Sequence, residues 1–219
     1  MKGASNPVKT LHSIRVIAVL FAAAVAVFLH VSSTAAADAD AAGNLIANGS
    51  FERLSAEQWP DGFGTWVGAG EPVITVDRAV ARTGDQSVAI TGDGSARANV
   101  NTSVSVVGGS SYRLTVWFRV TEGMTPSALV VRLQAFDGQV KVPWEMDWVL
   151  DRSQVSAHVA SGNFSLSPLE DTWAELTWLP MTVTFDLPVD VNRVAIDLFN
   201  WFGNGTVWFD DLSLETLSN

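Results

Sequence analysis

The sequence contains no cysteine, a single tyrosine and three histidines among its 219 residues. The lack of cysteine excludes disulfide bonds, thiol catalysis and cysteine-ligated zinc. Two histidines, His12 and His30, lie in the N-terminal segment, so His158 alone remains and a histidine metal cluster is excluded. The sequence also lacks a G-x-S-x-G elbow, a P-loop and an H-E-x-x-H motif, which removes the common signatures of hydrolases, nucleotide-binding proteins and metalloproteases.

Basic residues are scarce as well, with 13 Lys and Arg against 23 Asp and Glu, for a formal net charge of −10. So acidic a surface repels phosphate backbones, which argues against nucleic acid as a partner. The excess of carboxylates is compatible with a calcium site or simply with solubility.

The N-terminal segment has the pattern of a secretory signal. Three basic residues precede an apolar run from Val16 to Val31, and a small-residue cleavage site ends at Ala37. The apolar run is shorter than the roughly 20 residues that span a bilayer, which argues against the alternative of an uncleaved membrane anchor. We therefore predict a signal peptide over 1–37, a flexible lead-in over 38–43 and one domain over 44–219. The mature chain would be secreted, extracellular or periplasmic, without a stable membrane anchor.

The mature part of the sequence favours strands over helices. Short segments of alternating apolar and polar residues recur between clusters of Gly, Pro, Asn and Asp, without sustained helical periodicity. The predicted strands are Val73–Asp77, Ser87–Thr91, Ala98–Val106, Tyr112–Val120, Ala128–Phe136, Leu176–Phe185, Arg193–Phe199 and Thr206–Leu214. This spacing predicts an all-β fold, a β-sandwich or jelly roll of two antiparallel sheets, with a long insertion over Val142–Glu170.

Nine tryptophans are the unusual feature of the composition. In several strands, alternation turns aromatic and planar polar side chains away from the apolar face, where a pyranose could stack on a ring and bond its hydroxyls to polar groups. We therefore predict a carbohydrate-binding groove whose residues are Trp117, Arg132, Gln134, Phe136 and Trp201, bordered from the insertion by Trp144 and Trp148. The alternative is that these aromatics form a second small core beneath the insertion, with Trp144 and Trp148 pinning it down.

Four segments, in order along the chain, resemble carbohydrate-binding modules of families four, nine and twenty-two. Asn44–Glu52 with Pro60–Trp66 is similar to their opening "NL-x-x-NG-x-FE … PDGW", and Arg82–Ile90 is similar to their "SG-x-x-SL-x-I" strand. Tyr112–Phe118 resembles their central "Y-x-L-S-x-W-V", and Val207–Leu214 their closing "DD-V-x-L". The resemblance implies a jelly roll that binds a β-glycan chain, a polysaccharide or oligosaccharide, without cutting it. It also implies a separate glycan-degrading enzyme as a partner.

The same resemblance implies a structural calcium ion. Glu52 and Asp210 would supply carboxylates, Ser50 its carbonyl and the Arg82–Ser87 turn further carbonyls, with Asp211 in reserve. The alternative is that Glu52 and Asp210 cap turns and face water.

Two other functions stay open. A cell-surface or structural β-sandwich would need no glycan site, since related folds serve several functions. A small jelly-roll hydrolase or lyase would use Glu145 and Asp147, but the third carboxylate, Asp151, is spaced wrongly for a retaining glucanase strand. We therefore expect no enzymatic activity.

Overall fold

The computed structural model describes residues 43–124, 128–150, 155–161, 164–166 and 176–218, with the backbone alone from 150 to 166. The signal peptide predicted over 1–37 lies outside these ranges. The described strands are β1 (Gly64–Ala69), β2 (Val73–Asp77), β3 (Ser87–Asp93), β4 (Arg97–Ser105), β5 (Ser111–Val120), β6 (Leu129–Asp137), β7 (Val140–Leu150), β8 (Val155–Ser161), β9 (Phe164–Leu166), β10 (Leu179–Asp186), β11 (Arg193–Trp201) and β12 (Asn204–Thr216). No helix in the described part of the chain is long and apolar enough to cross a membrane.

The strands form two antiparallel sheets packed as a sandwich. The front sheet has the order β1-β4-β11-β6-β7-β8, and the back sheet has the order β2-β3-β12-β5-β10-β9. Strands that are distant in sequence become neighbours, as where β4 and β6 flank β11. The predicted all-β sandwich of two antiparallel sheets is confirmed.

One apolar core lies between the sheets. In β5 the residues from Tyr112 to Val120 alternate between buried and partly exposed, as expected for a strand with one face in the core. In β6, Leu129, Leu133 and Ala135 are fully buried. Removing these side chains from water is the main favourable contribution to folding.

The opening motif, from Asn44 to Glu52, is held along β12. The side chain of Asn44 donates to the carbonyl of Leu212 at 3.1 Å and accepts from the amide of Leu214 at 2.9 Å. Gly49 lies so close to β12 that a Cβ there would be 2.0 Å from the carbonyl oxygen of Leu212. Only glycine permits this approach, so the "NG" of the opening motif has a steric reason.

The predicted insertion over Val142–Glu170 is wrong where the chain is described, because β7 and β8 extend the front sheet and β9 pairs with β10 of the back sheet. Residues 151–154, 162–163 and 167–170 of it lie outside the described ranges. Trp144 and Trp148 lie on the inward face of β7 and are 2% and 0% exposed. The prediction that they border a groove is therefore also wrong, since alternation in a half-buried strand sends both rings into the core. Trp144 donates its Nε1–H to the carbonyl of Asp186 at 3.2 Å.

We expect Trp148→Ala to lower the free energy of unfolding by about 3–5 kcal/mol, because it leaves a cavity between the sheets. The indole Nε1 of Trp148 has no hydrogen-bond partner among the described residues, so Trp148→Phe should cost clearly less. Urea unfolding would measure both, with Trp66→Ala as the control. Trp66 is 43% exposed, and its removal should cost about 1 kcal/mol or less. Equal losses at the two positions would contradict the assignment of Trp148 to the core.

Candidate functional site

The outer face of the front sheet collects polar and aromatic side chains from neighbouring strands. Asp197 of β11 is paired across the sheet with Asn101 of β4 and Arg132 of β6, and Arg132 is paired with Asp147 of β7. Directly opposed residues of antiparallel strands project to the same side. These four residues therefore form one row across the sheet.

Four aromatic rings lie together on the same face and are called the aromatic cluster: Trp66, Phe199, Trp201 and Phe202. The ring of Phe199 contacts those of Trp66 and Trp201 edge to face, with centroids 6.2 and 5.2 Å apart. The centroid of Phe202 lies 6.1 Å from that of Trp201. Trp66 and Phe202 are each 43% exposed, so the cluster offers aromatic surface to solvent.

Arg97 lies among these rings. Its guanidinium carbon is 4.8 Å from the ring centroid of Trp201, 5.1 Å from that of Trp66 and 5.8 Å from that of Phe202. Such geometry is favourable for a cation over an aromatic face. The rings and the guanidinium together make a surface of planar groups in contact with one another.

A charged band adjoins the aromatic cluster and comprises Arg132, Lys141, Glu145, Asp147 and Asp197. Arg132 donates from Nε to Asp147 Oδ1 at 2.6 Å and from Nη2 to Asp147 Oδ2 at 2.9 Å. Its Nε also lies 3.2 Å from Glu145 Oε1, and Glu145 is paired with Lys141. Bidentate pairing fixes the plane of the guanidinium, which leaves Arg132 in a defined orientation.

Asp197 is the carboxyl of this band whose pKa is raised. Burial raises the pKa of Asp197 to about 6 from an ordinary value of 3.8, with Arg132 opposing the rise and Asp147 and Glu145 adding to it. Its Oδ1 accepts a hydrogen bond from Nδ2 of Asn99 at 3.2 Å. A perturbed carboxyl beside an aromatic surface is a marker of functional sites.

Four of the seven residues predicted for a sugar site lie on this outer face. Arg132 and Trp201 take part in the charged band and the aromatic cluster, and the partly exposed Gln134 follows Arg132 on β6. Phe136 lies further along the strand, with the guanidinium carbon of Arg193 at 4.1 Å from its centroid. What these residues bind stays a prediction.

Trp117 is in the wrong place for a site shared with Trp201. It lies on β5 of the back sheet, opposite Asp210 of β12 and Pro180 of β10. The guanidinium carbon of Arg82 lies 3.5 Å from its ring centroid. Trp117 does face away from the core, but on the other side of the sandwich.

Sequence reasoning missed Trp66, Arg97 and Phe202. Trp66 belongs to β1, which the sequence analysis did not identify as a strand, and Phe202 follows the predicted end of β11. The stretch from 64 to 69 is rich in glycine and has no regular alternation, so its only signal was the tryptophan at the end of the opening motif.

Glu52 and Asp210, the two carboxylates predicted to bind calcium, meet at one turn. Asp210 Oδ2 accepts from the amides of Arg82 and Thr83 at 2.8 and 3.4 Å. Glu52 Oε1 accepts from the amides of Asp85 and Gln86 at 3.0 and 3.2 Å. Both carboxylates thus hold the same turn from two sides.

Asp210 is fully buried, and burial, with the neighbouring Asp211, raises its pKa to about 7 despite three backbone hydrogen bonds. Both carboxylate oxygens of Asp211 are engaged within the protein, because Oδ2 accepts from Arg82 at 2.6 Å and Oδ1 from Thr83 at 2.7 Å. The described residues contain no group of three or more His, Cys, Asp or Glu that would hold a metal ion by side chains alone.

Comparison with known proteins identifies the fold but not a sequence family. No family model matches the chain, and no curated protein matches it.

Solved structures do match. Tailspike protein 4 of bacteriophage CBA120, an enzymatically active domain, is 13% identical with a TM-score of 0.58 over 80% of this chain and 21% of that one. The CBM22-1-GH10 modules of Clostridium thermocellum xylanase 10B are 13% identical with a TM-score of 0.50 over 81% and 29%. The CBM22-1 xylan-binding domain from Paenibacillus barcinonensis Xyn10C is 14% identical with a TM-score of 0.51 over 81% of this chain and 97% of that one. The chain thus spans less than a third of the first two proteins and nearly all of the third.

The chain therefore has the β-sandwich fold of carbohydrate-binding modules, and the resemblance seen in its sequence is confirmed for the fold. At these identities the likeness concerns backbone architecture alone.

The raised pKa of Asp197 predicts a pH-dependent loss of stability. Between pH of about 4 and about 6 the native carboxyl keeps a proton that the unfolded chain has released, so this group's contribution to stability falls as pH rises. Asp197→Asn cannot ionise. Only the wild type should therefore lose this contribution as pH rises. Measured by urea unfolding, the free energy of unfolding of Asp197→Asn minus that of the wild type should increase by about 1–3 kcal/mol from pH 4 to pH 7.5. Parallel stability curves for the two proteins would contradict a raised pKa.

Proposed function

We propose that the outer face of the front sheet binds a glycan chain and does not cleave it. The observation that supports this most is the continuity of the aromatic cluster with the charged band on one face. Arg132 joins the two, since its guanidinium carbon lies 5.5 Å from the ring centroid of Trp201 while its nitrogens bind Asp147.

This combination suits a polysaccharide. The apolar C–H face of a pyranose packs on aromatic rings, and its hydroxyls need oriented polar partners. Trp66 and Trp201 supply rings, while Arg132, Gln134 and Asp147 supply donors and acceptors held by their neighbours. Because few contacts must offset the ordering of the sugar chain, we expect an affinity on the order of −5 to −8 kcal/mol.

Xylan is the first glycan to test, because one solved neighbour of similar length is a xylan-binding domain. Binding without cleavage is favoured because both oxygens of Asp147 accept hydrogen bonds from Arg132, and Glu145 is paired with Arg132 and Lys141. Carboxylates held by cations in this way are poorly placed to act as nucleophile and acid. A secreted chain of this kind would work beside a separate glycan-degrading enzyme.

We also propose a structural calcium ion at the turn held by Glu52 and Asp210. The support is that Asp210 is a fully buried carboxylate without a salt bridge to any described cationic side chain, and a carboxylate there is costly unless a cation offsets its charge. Gly84 in the same turn, at φ +64°, would place a Cβ 2.3 Å from Glu52 Oε1, so the turn is shaped around this carboxylate. Backbone carbonyls, including that of Ser50, would complete the oxygen ligands that calcium prefers.

For glycan binding, we expect Trp201→Ala and Trp66→Ala each to weaken binding by about tenfold or more, because each removes a stacking surface. Affinity electrophoresis in gels containing xylan and a panel of other soluble glycans would measure the loss. Trp117→Ala is the matched control, since Trp117 faces away from the core on the other sheet and should leave binding unchanged.

Loss of binding in Trp117→Ala with retention in Trp201→Ala would move the site to the back sheet. Failure to retain any glycan would favour the cell-surface or structural sandwich. Release of reducing ends that is lost in Glu145→Gln would favour an enzyme.

For calcium, we expect the melting temperature of the wild type to rise by several degrees when calcium replaces a chelator, because a ligand at 100 times its Kd stabilises the native state by about 2.7 kcal/mol. Asp210→Asn and Glu52→Gln should each abolish the rise, whereas Asp147→Asn, a carboxylate of the front sheet, should keep it. An identical rise in Asp210→Asn, or none in the wild type, would contradict the site.

A further inference from the structure

Three of the basic side chains on the outer face of the front sheet have polar partners within the protein. Arg132 and Lys141 are paired with carboxylates of the charged band. Arg193 donates to the carbonyl of Gly138 at 3.3 and 3.2 Å and to the hydroxyl of Ser103 at 3.2 Å. Each of these three residues therefore has at least one donor engaged within the protein.

Arg97 differs from all three. Among the described residues its guanidinium has neither a hydrogen bond nor a salt bridge, and its Nε is buried without a partner. Its surroundings are the rings of Trp66, Trp201 and Phe202. Buried polar groups usually have a partner, so an unpaired guanidinium in a chain with 23 acidic and 13 basic residues calls for one.

The chemistry of that partner follows from the donor and its setting. A guanidinium is planar and always charged, and it binds carboxylates by parallel hydrogen bonds. The rings beside it accept the apolar face of a sugar. Arg97 is paired with Trp201 across the sheet. A uronic acid stacked on Trp66 or Trp201 can therefore direct the carboxylate attached to its sugar ring at Arg97.

We propose that Arg97 makes this face selective for glycans that carry carboxylates, that is, for uronic acid residues stacked on the aromatic cluster. The inference rests on the proposed function and adds the substrate class. Sulfated sugars offer a related oxyanion, so the experiment includes them separately.

The experiment compares each acidic glycan with its own neutral counterpart. Glucuronoxylan, polygalacturonate and alginate are offered beside the same polymers after reduction of their carboxyl groups to alcohols, and affinities are measured by calorimetry and affinity electrophoresis. We expect the wild type to bind at least one native polymer about tenfold more tightly than its reduced form. The gain should shrink between about 50 mM and about 500 mM salt, because screening weakens an exposed ion pair.

Arg97→Gln should remove this gain while neutral glycans are still bound, and Arg97→Lys should restore only part of it, since an ammonium lacks the planar fork. Arg193→Gln is the matched control on the same face, and it should keep the full gain because the donors of Arg193 are used within the protein. Thermal melting checks that each variant is folded. If Arg97→Gln does not fold, Arg97→Lys and the wild-type comparison of native with reduced polymers still decide.

Equal binding of native and reduced polymers would overturn the carboxylate selectivity and leave glycan binding intact. The same gain with a sulfated, uronate-free polysaccharide, or a gain that persists in Arg97→Gln, would also overturn the assignment. Absence of binding to every polymer, neutral or acidic, would reject the proposed function and this inference with it.

Discussion

Burial of every second side chain between two six-stranded sheets is the constraint on which the other features depend. Once Leu129, Leu133 and Ala135 lie in the core, Arg132 and Gln134 must face outward, because successive side chains of a strand alternate. The same rule sends Trp144 and Trp148 inward and leaves Glu145 and Asp147 outside. A slip of one residue in any of these strands would exchange the two faces and cost several fully buried side chains.

The outer face that results is nearly balanced in charge and partly withdrawn from water. Arg132 is surrounded by Glu145, Asp147 and Asp197, and burial, with the two neighbouring carboxylates adding to it, raises the pKa of Asp197 to about 6 although Arg132 opposes the rise. Arg97 is the exception, because its guanidinium lies among rings and forms no salt bridge with a carboxylate in the described part of the chain. The face therefore combines two parts. The charged band has its charges paired within the protein, whereas the guanidinium of Arg97 in the aromatic cluster has no such pair among the described residues.

Strand β12 holds the opening motif, Asn44–Glu52, against the sandwich. Its register shifts between Asp210 and Ser213, and Asp211 adopts a φ of 46°. The inward-facing side chains are therefore at odd-numbered positions up to Phe209 and at even-numbered positions from Leu212 onward. That bulge turns Asp210 towards the turn at Arg82, where Glu52 arrives from the opening motif. A carboxylate buried in this way stabilises the junction only when its charge is compensated, either by a proton or by a cation.

Local periodicity was sufficient to predict the all-β class, the boundaries of Val73–Asp77 and the outward direction of Arg132, Gln134 and Trp201, because alternation is a property of a single strand. It also carried an unused signal, since Trp144, Met146 and Trp148 alternate with Glu145 and Asp147 in a stretch interpreted as an insertion.

Sheet membership was not predictable in this way. Trp117 and Trp201 both point outward from their strands, but hydrogen bonding between segments far apart in sequence places β5 in the back sheet and β11 in the front sheet. The grouping of Trp66, Arg97 and Trp201 likewise arises only from the pairing of β4 with β1 and β11. The sequence alone determined which way individual side chains face, and the tertiary structure decided which of them share a surface, because cross-strand pairing is a long-range interaction that no local pattern encodes.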